Sequence, residues 1–198
     1  MIIVAATGNQ HKIQEISAIL APFKMQVISR ADAGVPDIEI EEDGLTFEEN
    51  SRKKAVEIMK LSGKIAIADD SGLEVEVLGG EPGVYSARYA GEGATDEKNN
   101  EKLLDLLKDV PDEKRAASFV SVVTMVYPDG NVLVARGECR GHILRTPRGS
   151  NGFGYDPLFV PNGYDKTFAE LSSVEKNKIS HRANALLMLR TLLEAEES

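Results

Sequence analysis

The spacing of apolar positions predicts a chain in which strands and helices alternate. Ile2 to Thr7 is a continuous apolar run, typical of a strand covered on both faces, and isoleucines at helical spacing follow it. A second strand is predicted over Met25 to Ser29. Thr46, with Glu49 three residues later, predicts a helix that begins with a capping box and ends at Gly63.

The central part of the chain continues this order. Ile65 to Ala68 predicts a short buried strand that ends in the polar turn Asp69 to Gly72, and alternation from Leu73 to Val77 predicts a half-exposed strand. The glycine-rich stretch from Gly79 to Gly93 is expected to be loop, and a helix is expected over Asp96 to Val110.

The last third predicts a β-hairpin and a final helix. Phe119–Tyr127 and Asn131–Gly137 form the hairpin, and a further strand is expected near Gly141 to Leu144. This order of elements, without an internal repeat, predicts one α/β domain over residues 1–198, with helices on the faces of a mixed sheet. The residues that the final helix is expected to bury are Ala183, Leu186, Leu187 and Leu193.

The composition is that of an ordinary globular protein, with 42% hydrophobic and 28% charged residues. The apolar N-terminal run lacks a basic flank and is too short for a signal peptide or a membrane span, so no membrane association is expected. Cys139 is the one cysteine, which excludes an internal disulfide and a site made of several thiolates. Together these features indicate the cytoplasm.

The net charge of −9 argues against a nucleic-acid-binding protein, because such binding needs a basic face that displaces counterions. A small polyanionic ligand is still compatible with this charge where lysines, arginines and a metal ion converge locally. The candidate chemistry therefore depends on whether the fold builds such a cluster.

Two segments offer positive charge for an anion. The strand, turn and helix from Val4 to Lys12 have the outline of a phosphate-binding turn, because N–H groups at a helix N-terminus favour negative charge. The segment is not a Walker loop, and an ordinary strand–helix turn fits it equally well. Lys54 projects from the apolar stripe of its helix, where it either extends along the edge of the stripe or meets an anion.

The pair Asp69-Asp70 directly follows a predicted strand, which is where α/β enzymes place their ligands. Adjacent residues of an extended chain point in opposite directions, so one of the two is expected to face the site. Mg²⁺ prefers one or two carboxylates together with phosphate and water oxygens, and Glu41 or Glu42 would supply the second carboxylate. A polar turn and a solvated acidic run are the alternative interpretation.

The loop Phe153–Asp156 holds two aromatics separated by a glycine. They would either anchor the loop or stack on a base, with Asp156 forming hydrogen bonds nearby. Further polar residues lie around the start of the final helix, where single side chains of this kind are normally solvated: Lys176, His181 and Arg182.

Taken together, six segments in this order resemble the inosine triphosphate pyrophosphatase family, the Ham1-like enzymes that remove abnormal nucleotides. The resemblance covers almost the whole chain, and six ordered motifs are far more specific than any one of them. The segments are Thr7–Lys12, Asp43–Asn50, Ala68–Gly72, Gly79–Gly91, Gly152–Pro157 and Glu175–Arg182.

The resemblance implies hydrolysis of ITP, dITP and XTP to the monophosphate and pyrophosphate with Mg²⁺, an elongated α/β fold with a cleft between two lobes, and a homodimer. Asp70 would act as general base and metal partner beside Glu41 or Glu42, with Lys54 also counted as catalytic. The substrate-binding residues would be Thr7, Gly8, Asn9, Gln10, His11 and Lys12 at the triphosphate, and Ser71, Phe153, Gly154, Tyr155, Asp156, Lys176, His181 and Arg182.

Two other functions remain open at this point. One is a Maf-like pyrophosphatase that prefers other nucleotides, and the other is a module that binds a triphosphate without cleaving it. Two carboxylate sites and several lysines favour turnover over binding alone, because a protein that only binds needs no general base.

Overall fold

The structure is a computed structural model that describes residues 1–8 and 10–196. None of the helices in the described part of the chain is both long and apolar enough to span a membrane. The strands are β1 (Ile2–Ala5), β2 (Gln26–Ile28), β3 (Ile65–Val75), β4 (Ala116–Val126), β5 (Val132–Ile143) and β6 (Phe159–Pro161), and the helices are α1 (Gln10–Leu20), α2 (Phe47–Ser62), α3 (Asp96–Leu107), α4 (Ser173–Ile179) and α5 (His181–Glu196).

The strands form a six-stranded sheet in the order β2-β1-β3-β4-β5-β6. Strand β1 runs parallel to both of its neighbours, and its Val4 is in register with Ile28 of β2 and Ala66 of β3. Strands β5 and β6 are antiparallel. The sheet is therefore mixed, and the predicted α/β class is confirmed.

The chain divides into two compact units. The first comprises Met1–Asp70, Ser121–Gly137 and the chain from Asn184 onward, and the second comprises Ser71–Val120 and Glu138–Ala183. The first unit has a core in which α1, α5 and the strands meet, with Ile16, Leu20, Ile67, Met125 and Leu189 buried. The core of the second unit is more aromatic and includes Leu103, Phe119, Tyr155, Phe159 and Phe168.

Strand β3 differs from the prediction of two strands separated by a polar turn. It runs from Ile65 to Val75 without interruption, so Asp69 to Gly72 lie inside it. Because β3 has a neighbouring strand on each side, pairing of its backbone outweighs the low strand propensity of Asp and Gly. Strand β5 likewise reaches Ile143 without a break, so the separate strand expected near Gly141 is the end of β5.

The end of the chain holds two helices where one was predicted. Ser180 is extended and its Oγ accepts a hydrogen bond from Ala183 N at 3.2 Å, so it separates α4 from α5 and caps α5. Leu187 was wrongly assigned to the core: it is 50% exposed, and Leu189 is buried instead. The buried apolar residues of α5 recur every three to four positions and leave Leu187 on the outer side, with Ala183 half-buried; they are Ala185, Leu186, Leu189 and Leu193.

Helix α2 has the predicted ends but half of the predicted capping box. Thr46 Oγ1 accepts a hydrogen bond from Glu49 N at 3.1 Å, and Gly63 closes the helix in the left-handed conformation with φ 64°. The Glu49 carboxylate, however, accepts from Leu45 N, one residue before the expected donor.

Candidate functional site

In the first unit, α1 and β3 bring Lys12 and Asp69 together. Lys12 Nζ donates to both carboxylate oxygens of Asp69, at 3.1 and 2.9 Å, and the Asp69 side chain is 3% exposed. Burying a carboxylate is unfavourable unless a cation pairs with it, so the ion pair with Lys12 stabilises Asp69 in its buried position. Asp69 is thus held by an ion pair inside a strand, and not by a turn.

A second lysine, Lys54 of α2, serves two other carboxylates. Its Nζ donates to Glu42 Oε1 at 2.6 Å and to Asp70 Oδ1 at 3.1 Å. Burial alone would lower the pKa of Lys54, but the charges of Asp70 and Glu42 raise the pKa above its usual value. The ammonium therefore points at anions and stays charged, which is the second of the two interpretations that the sequence left open.

Asp69 and Asp70 are neighbours in β3, yet they pair with different lysines. This agrees with the alternation of side chains along an extended chain. Between the two glutamates that the sequence could not separate, Glu42 is the one that reaches Lys54, while Glu41 is exposed.

The second oxygen of Asp70, Oδ2, is buried and has no hydrogen-bond partner. Burial raises the pKa of Asp70, and the nearby charge of Lys54 opposes this rise in part. Asn50 also lowers the pKa of Asp70, because its amide lies close to this carboxylate. The Nδ2 atom of Asn50 nevertheless makes no hydrogen bond, so the amide does not pair with Asp70 Oδ2. One oxygen of Asp70 therefore remains available to accept a hydrogen bond or a proton.

The carboxylates around Lys54 suit a divalent cation that takes few ligands from the protein. Within residues 1–8 and 10–196, no group of three or more His, Cys, Asp or Glu side chains is gathered as a metal site. Asp70 and Glu42 instead offer two carboxylates on one lysine, and Mg²⁺ commonly binds proteins through one or two carboxylates, with phosphate and water completing its shell. The residues fit Mg²⁺ better than a metal that needs a complete protein cage.

The second unit contains a cavity of about 140 Å³. This is smaller than the roughly 300–1,000 Å³ of pockets that hold drug-sized ligands, so it suits one part of a larger ligand. Its walls include seven residues that the sequence predicted as substrate-binding: Ser71, Phe153, Gly154, Tyr155, Asp156, Lys176 and His181.

The two aromatics of the loop have different environments. Phe153 is 63% exposed, whereas Tyr155 is 4% exposed and its hydroxyl donates to Ser86 O at 2.8 Å. Burial raises the pKa of Tyr155, so the hydroxyl remains a donor at any working pH. Tyr155 thus anchors the loop, and the exposed ring available for stacking is that of Phe153.

Asp156 and Lys176 form an ion pair in the wall of the cavity. Lys176 Nζ donates to Asp156 Oδ2 at 2.5 Å, and the same oxygen accepts from Phe153 N at 3.1 Å. Burial raises the pKa of Asp156 while Lys176 opposes the rise. Gly152 is required here, because its φ is +76° and a Cβ at this position would clash with Asp156 Oδ2.

The ring of His181 is buried and stacks on Phe119, with centroids 5.0 Å apart and planes at 16°. Phe119 also lines the cavity and was not predicted as a site residue. Its position in a hydrophobic strand gave no signal that would separate it from the rest of the core.

The remaining predicted residues are placed as follows. Thr7 is half-buried, Gln10 is exposed at the start of α1, and no described atom lies within 4 Å of where a Cβ on Gly8 would be, so the space beside it is open. Asn9 and the side chain of His11 lie outside what the structure describes. Arg182 does not line the cavity, but its charge acts on Asp156.

Three polar residues of α3 escaped the sequence prediction. Asn99 is buried, accepts from Ala90 N and donates to Ala87 O, and so fixes the segment before α3. Asp96 and Asn100 contact Gly154 in the cavity loop. Their spacing of four residues places them on one helix face, but polar residues in a first helical turn are common, and this pattern alone does not indicate a site.

The sequence model of the Ham1 family matches residues 3–192 of this chain. A Clostridium perfringens protein named dITP/XTP pyrophosphatase is 52% identical over 197 residues, which cover 96% of each chain. The Bacillus licheniformis protein of the same name is 51% identical, with 97% of each chain covered. The solved structure of the Staphylococcus aureus Ham1 protein superposes with a TM-score of 0.91 at 46% identity, covering 99% of this chain and 100% of that one.

Proposed function

The chain belongs to the Ham1 family, and on that premise we propose that it hydrolyses non-standard purine nucleoside triphosphates, such as ITP, dITP and XTP, to the monophosphate and pyrophosphate. The observation that carries the proposal is the cluster in which Lys54 joins Glu42 to Asp70 while Asp70 retains a buried, unpartnered oxygen. A protein that only held a triphosphate would gain nothing from that oxygen.

Lys12 and Lys54 bind the triphosphate in this proposal. Each ammonium now contacts carboxylates, so both are oriented before a polyanion arrives. Charge that develops on the phosphoryl oxygens during attack is stabilised by such fixed cations. The preorganised positions of the two lysines reduce the reorganisation that the reaction needs.

Asp70 is the general base. Its Oδ2, which accepts no hydrogen bond in the structure, accepts the proton of the water that attacks the α-phosphorus as pyrophosphate leaves. Asp70 and Glu42 would hold Mg²⁺, which, when bound, neutralises phosphate charge and acidifies a water molecule. Lys54 keeps the two carboxylates in fixed positions through its hydrogen bonds to both.

The cavity of the second unit binds the base. Hypoxanthine and xanthine carry an acceptor oxygen at position six, where adenine carries a donor amine, so donor groups such as Lys176 or Arg182 favour the first two. Guanine must be rejected through its two-amino group, which finds no partner in the site. An unpaired buried polar group costs about 1–3 kcal/mol, which corresponds to roughly ten- to a hundredfold in selectivity.

The test is release of pyrophosphate from ITP, XTP, GTP and ATP with Mg²⁺. The proposal expects pyrophosphate, not phosphate, from ITP and XTP, with much lower kcat/KM for ATP and GTP. Equal kcat/KM for all four would exclude the selectivity. Activity on pyrimidine nucleotides would instead support a Maf-like enzyme, and binding without any product would support a non-catalytic module.

Two further properties belong to the same proposal. Resemblance to the family favours a homodimer, which light scattering of the purified chain would test. A single cysteine, buried in the structure, favours a cytoplasmic protein, and fractionation of the source cells would test it.

A further inference from the structure

Two hydrogen bonds from α3 hold the loop that lines the cavity of the second unit, and both meet Gly154. Gly154 N donates to Asp96 Oδ2 at 2.7 Å, and Gly154 O accepts from Asn100 Nδ2 at 3.0 Å. The two helix residues therefore hold the peptide groups on both sides of Gly154. Because these peptide groups connect Phe153 to Tyr155, the contacts fix how the two aromatics are oriented relative to each other.

Gly154 is the point of the loop where such a restraint is needed. It has φ +60°, and apart from its two chain neighbours no described atom lies within 4 Å of where its Cβ would be, so residues distant in sequence do not pack against that position. Glycine loses more conformational freedom than any other residue when it is ordered. The two hydrogen bonds from α3 supply the order that packing does not.

Asn100 carries a polar atom whose burial lowers the stability of the protein. Its Oδ1 is buried and has no hydrogen-bond partner, and an unsatisfied buried acceptor is unfavourable. An apolar side chain at this position would remove that cost and would also remove the contact with Gly154. The amide is therefore better explained by its donor than by its packing.

Helix α3 is a firm support for these contacts. Thr95 caps its N-terminus by accepting from Lys98 N, and Leu103 and Leu107 are fully buried beneath it. A binding site must be held to about 0.5 Å, and support from a helix is more accurate than support from a loop.

We propose that Asp96 and Asn100 are positioning residues that set the selectivity of this protein among purine bases, by holding Gly154 between the two aromatics of the cavity loop. This inference rests on the proposed function, since it takes the cavity as the site of the base. The lysines and carboxylates assigned to the triphosphate lie on α1, α2, β3 and the loop before α2. Loss of the contacts to Gly154 should accordingly affect discrimination between bases.

The experiment compares Asp96→Ala and Asn100→Ala with wild type, using kcat and KM for ITP and ATP. Both variants are expected to reduce the ratio of kcat/KM for ITP to that for ATP, by about tenfold for Asn100→Ala, whose contact is partly buried, and less for Asp96→Ala. Asp96→Asn keeps an acceptor oxygen and is expected to restore most of the ratio. Asp105→Ala removes an exposed charge from the same helix at a position that lines neither cavity beside the Gly154 loop, so its ratio should equal that of wild type.

An unchanged ratio in both alanine variants, or an equal change in Asp105→Ala, would overturn the proposal. Thermal unfolding of each variant separates a selective effect from general loss of structure. If the wild-type chain hydrolyses no purine triphosphate, the proposed function fails, and titration with inosine and adenosine monophosphates then decides the role of α3. A chain that neither hydrolyses nor binds purine nucleotides overturns both.

Discussion

Lys12 Nζ lies within hydrogen-bond distance of both oxygens of Asp69, at 3.1 and 2.9 Å. The pair is asymmetric in exposure, with 24% of the Lys12 side chain and 3% of the Asp69 side chain accessible. Removing the lysine therefore leaves a charge that water cannot reach, whereas removing the carboxylate leaves a charge that water can solvate.

We expect Lys12→Met to destabilise the protein more than Asp69→Asn does, by about 3 kcal/mol for Lys12→Met, because it leaves a buried carboxylate without this cation. The double variant should recover much of that loss. Urea unfolding of the four proteins gives the coupling energy. Additive effects would show that the two side chains do not stabilise each other.

Asp70→Asn should lower the activity of the protein and raise its stability. Loss of the general base is expected to lower kcat by about 10²–10⁴-fold. At neutral pH the same variant should unfold at a higher urea concentration than wild type, because it no longer buries a charge whose pKa is raised by burial. Glu57→Gln, an exposed carboxylate on α2, is the control and should change neither. A fully active Asp70→Asn enzyme would exclude the assigned role.

Glu41 and Glu42 should respond differently to neutralisation. Glu42 contacts Lys54 at 2.6 Å, whereas Glu41 is exposed, so Glu42→Gln should raise the Mg²⁺ concentration that gives half-maximal activity more than Glu41→Gln does. Titration of pyrophosphate release with Mg²⁺ measures this. A larger shift for Glu41→Gln would transfer the metal-binding role to that residue.

The stability of the protein should depend on pH through Asp156. Its pKa is raised in the folded protein by burial, so between the unfolded value of 3.8 and the raised value the folded state binds more protons than the unfolded state. Stability from this group is therefore full below pH 3.8 and is lost as pH rises through the folded pKa.

Asp156→Asn removes this titration, so wild type should lose stability relative to the variant as pH rises from about 4 towards 7. Urea unfolding of both proteins across this range measures the difference. If wild type instead gains relative stability with rising pH, the ion pair with Lys176 dominates over burial and the pKa of Asp156 is lowered.

Arg115 is 2% exposed and has no carboxylate partner among the contacts that fix it. Its guanidinium donates to Leu107 O at 2.6 Å and to Ile143 O and Leu144 O at 2.8 Å. Arg115→Met would remove the side-chain donors of all three carbonyls, of which Leu107 O keeps a hydrogen bond from Val110 N, and should destabilise the protein by about 4 kcal/mol. Arg140→Met, at an exposed site, should cost under about 0.5 kcal/mol. Similar urea midpoints for the two variants would contradict this.

Local patterns in the sequence predicted the elements well where local forces decide them. Thr46 and Gly63 mark the ends of α2 because capping depends on a few adjacent residues. The division at Ser180 was missed because one serine that caps the next helix looks, in sequence, like any polar position in a helix.

The candidate site depends on contacts between residues that are distant in the chain, and a sequence pattern does not reveal such contacts. The sequence correctly indicated that Asp69 and Asp70 face different ways, but it placed them in a turn, since only pairing with neighbouring strands makes such residues favourable in a strand. Which glutamate meets Lys54, and which aromatic is buried, depend on loop conformations that no periodicity specifies. The hydrogen bonds of Asp96 and Asn100 join them to Gly154, which lies 58 and 54 residues away in the chain.

Arg115 has a second consequence beyond stability. It fixes the C-terminal end of α3 through Leu107 O, and that helix carries Asp96 and Asn100 at its other end. Twelve residues at a rise of about 1.5 Å each make α3 a spacer of roughly 18 Å. The position at which Arg115 holds the C-terminal end of α3 therefore influences where Asp96 and Asn100 hold Gly154. We therefore expect that a substitution at Arg115, which does not line the cavity of the second unit, also changes the preference between purine bases.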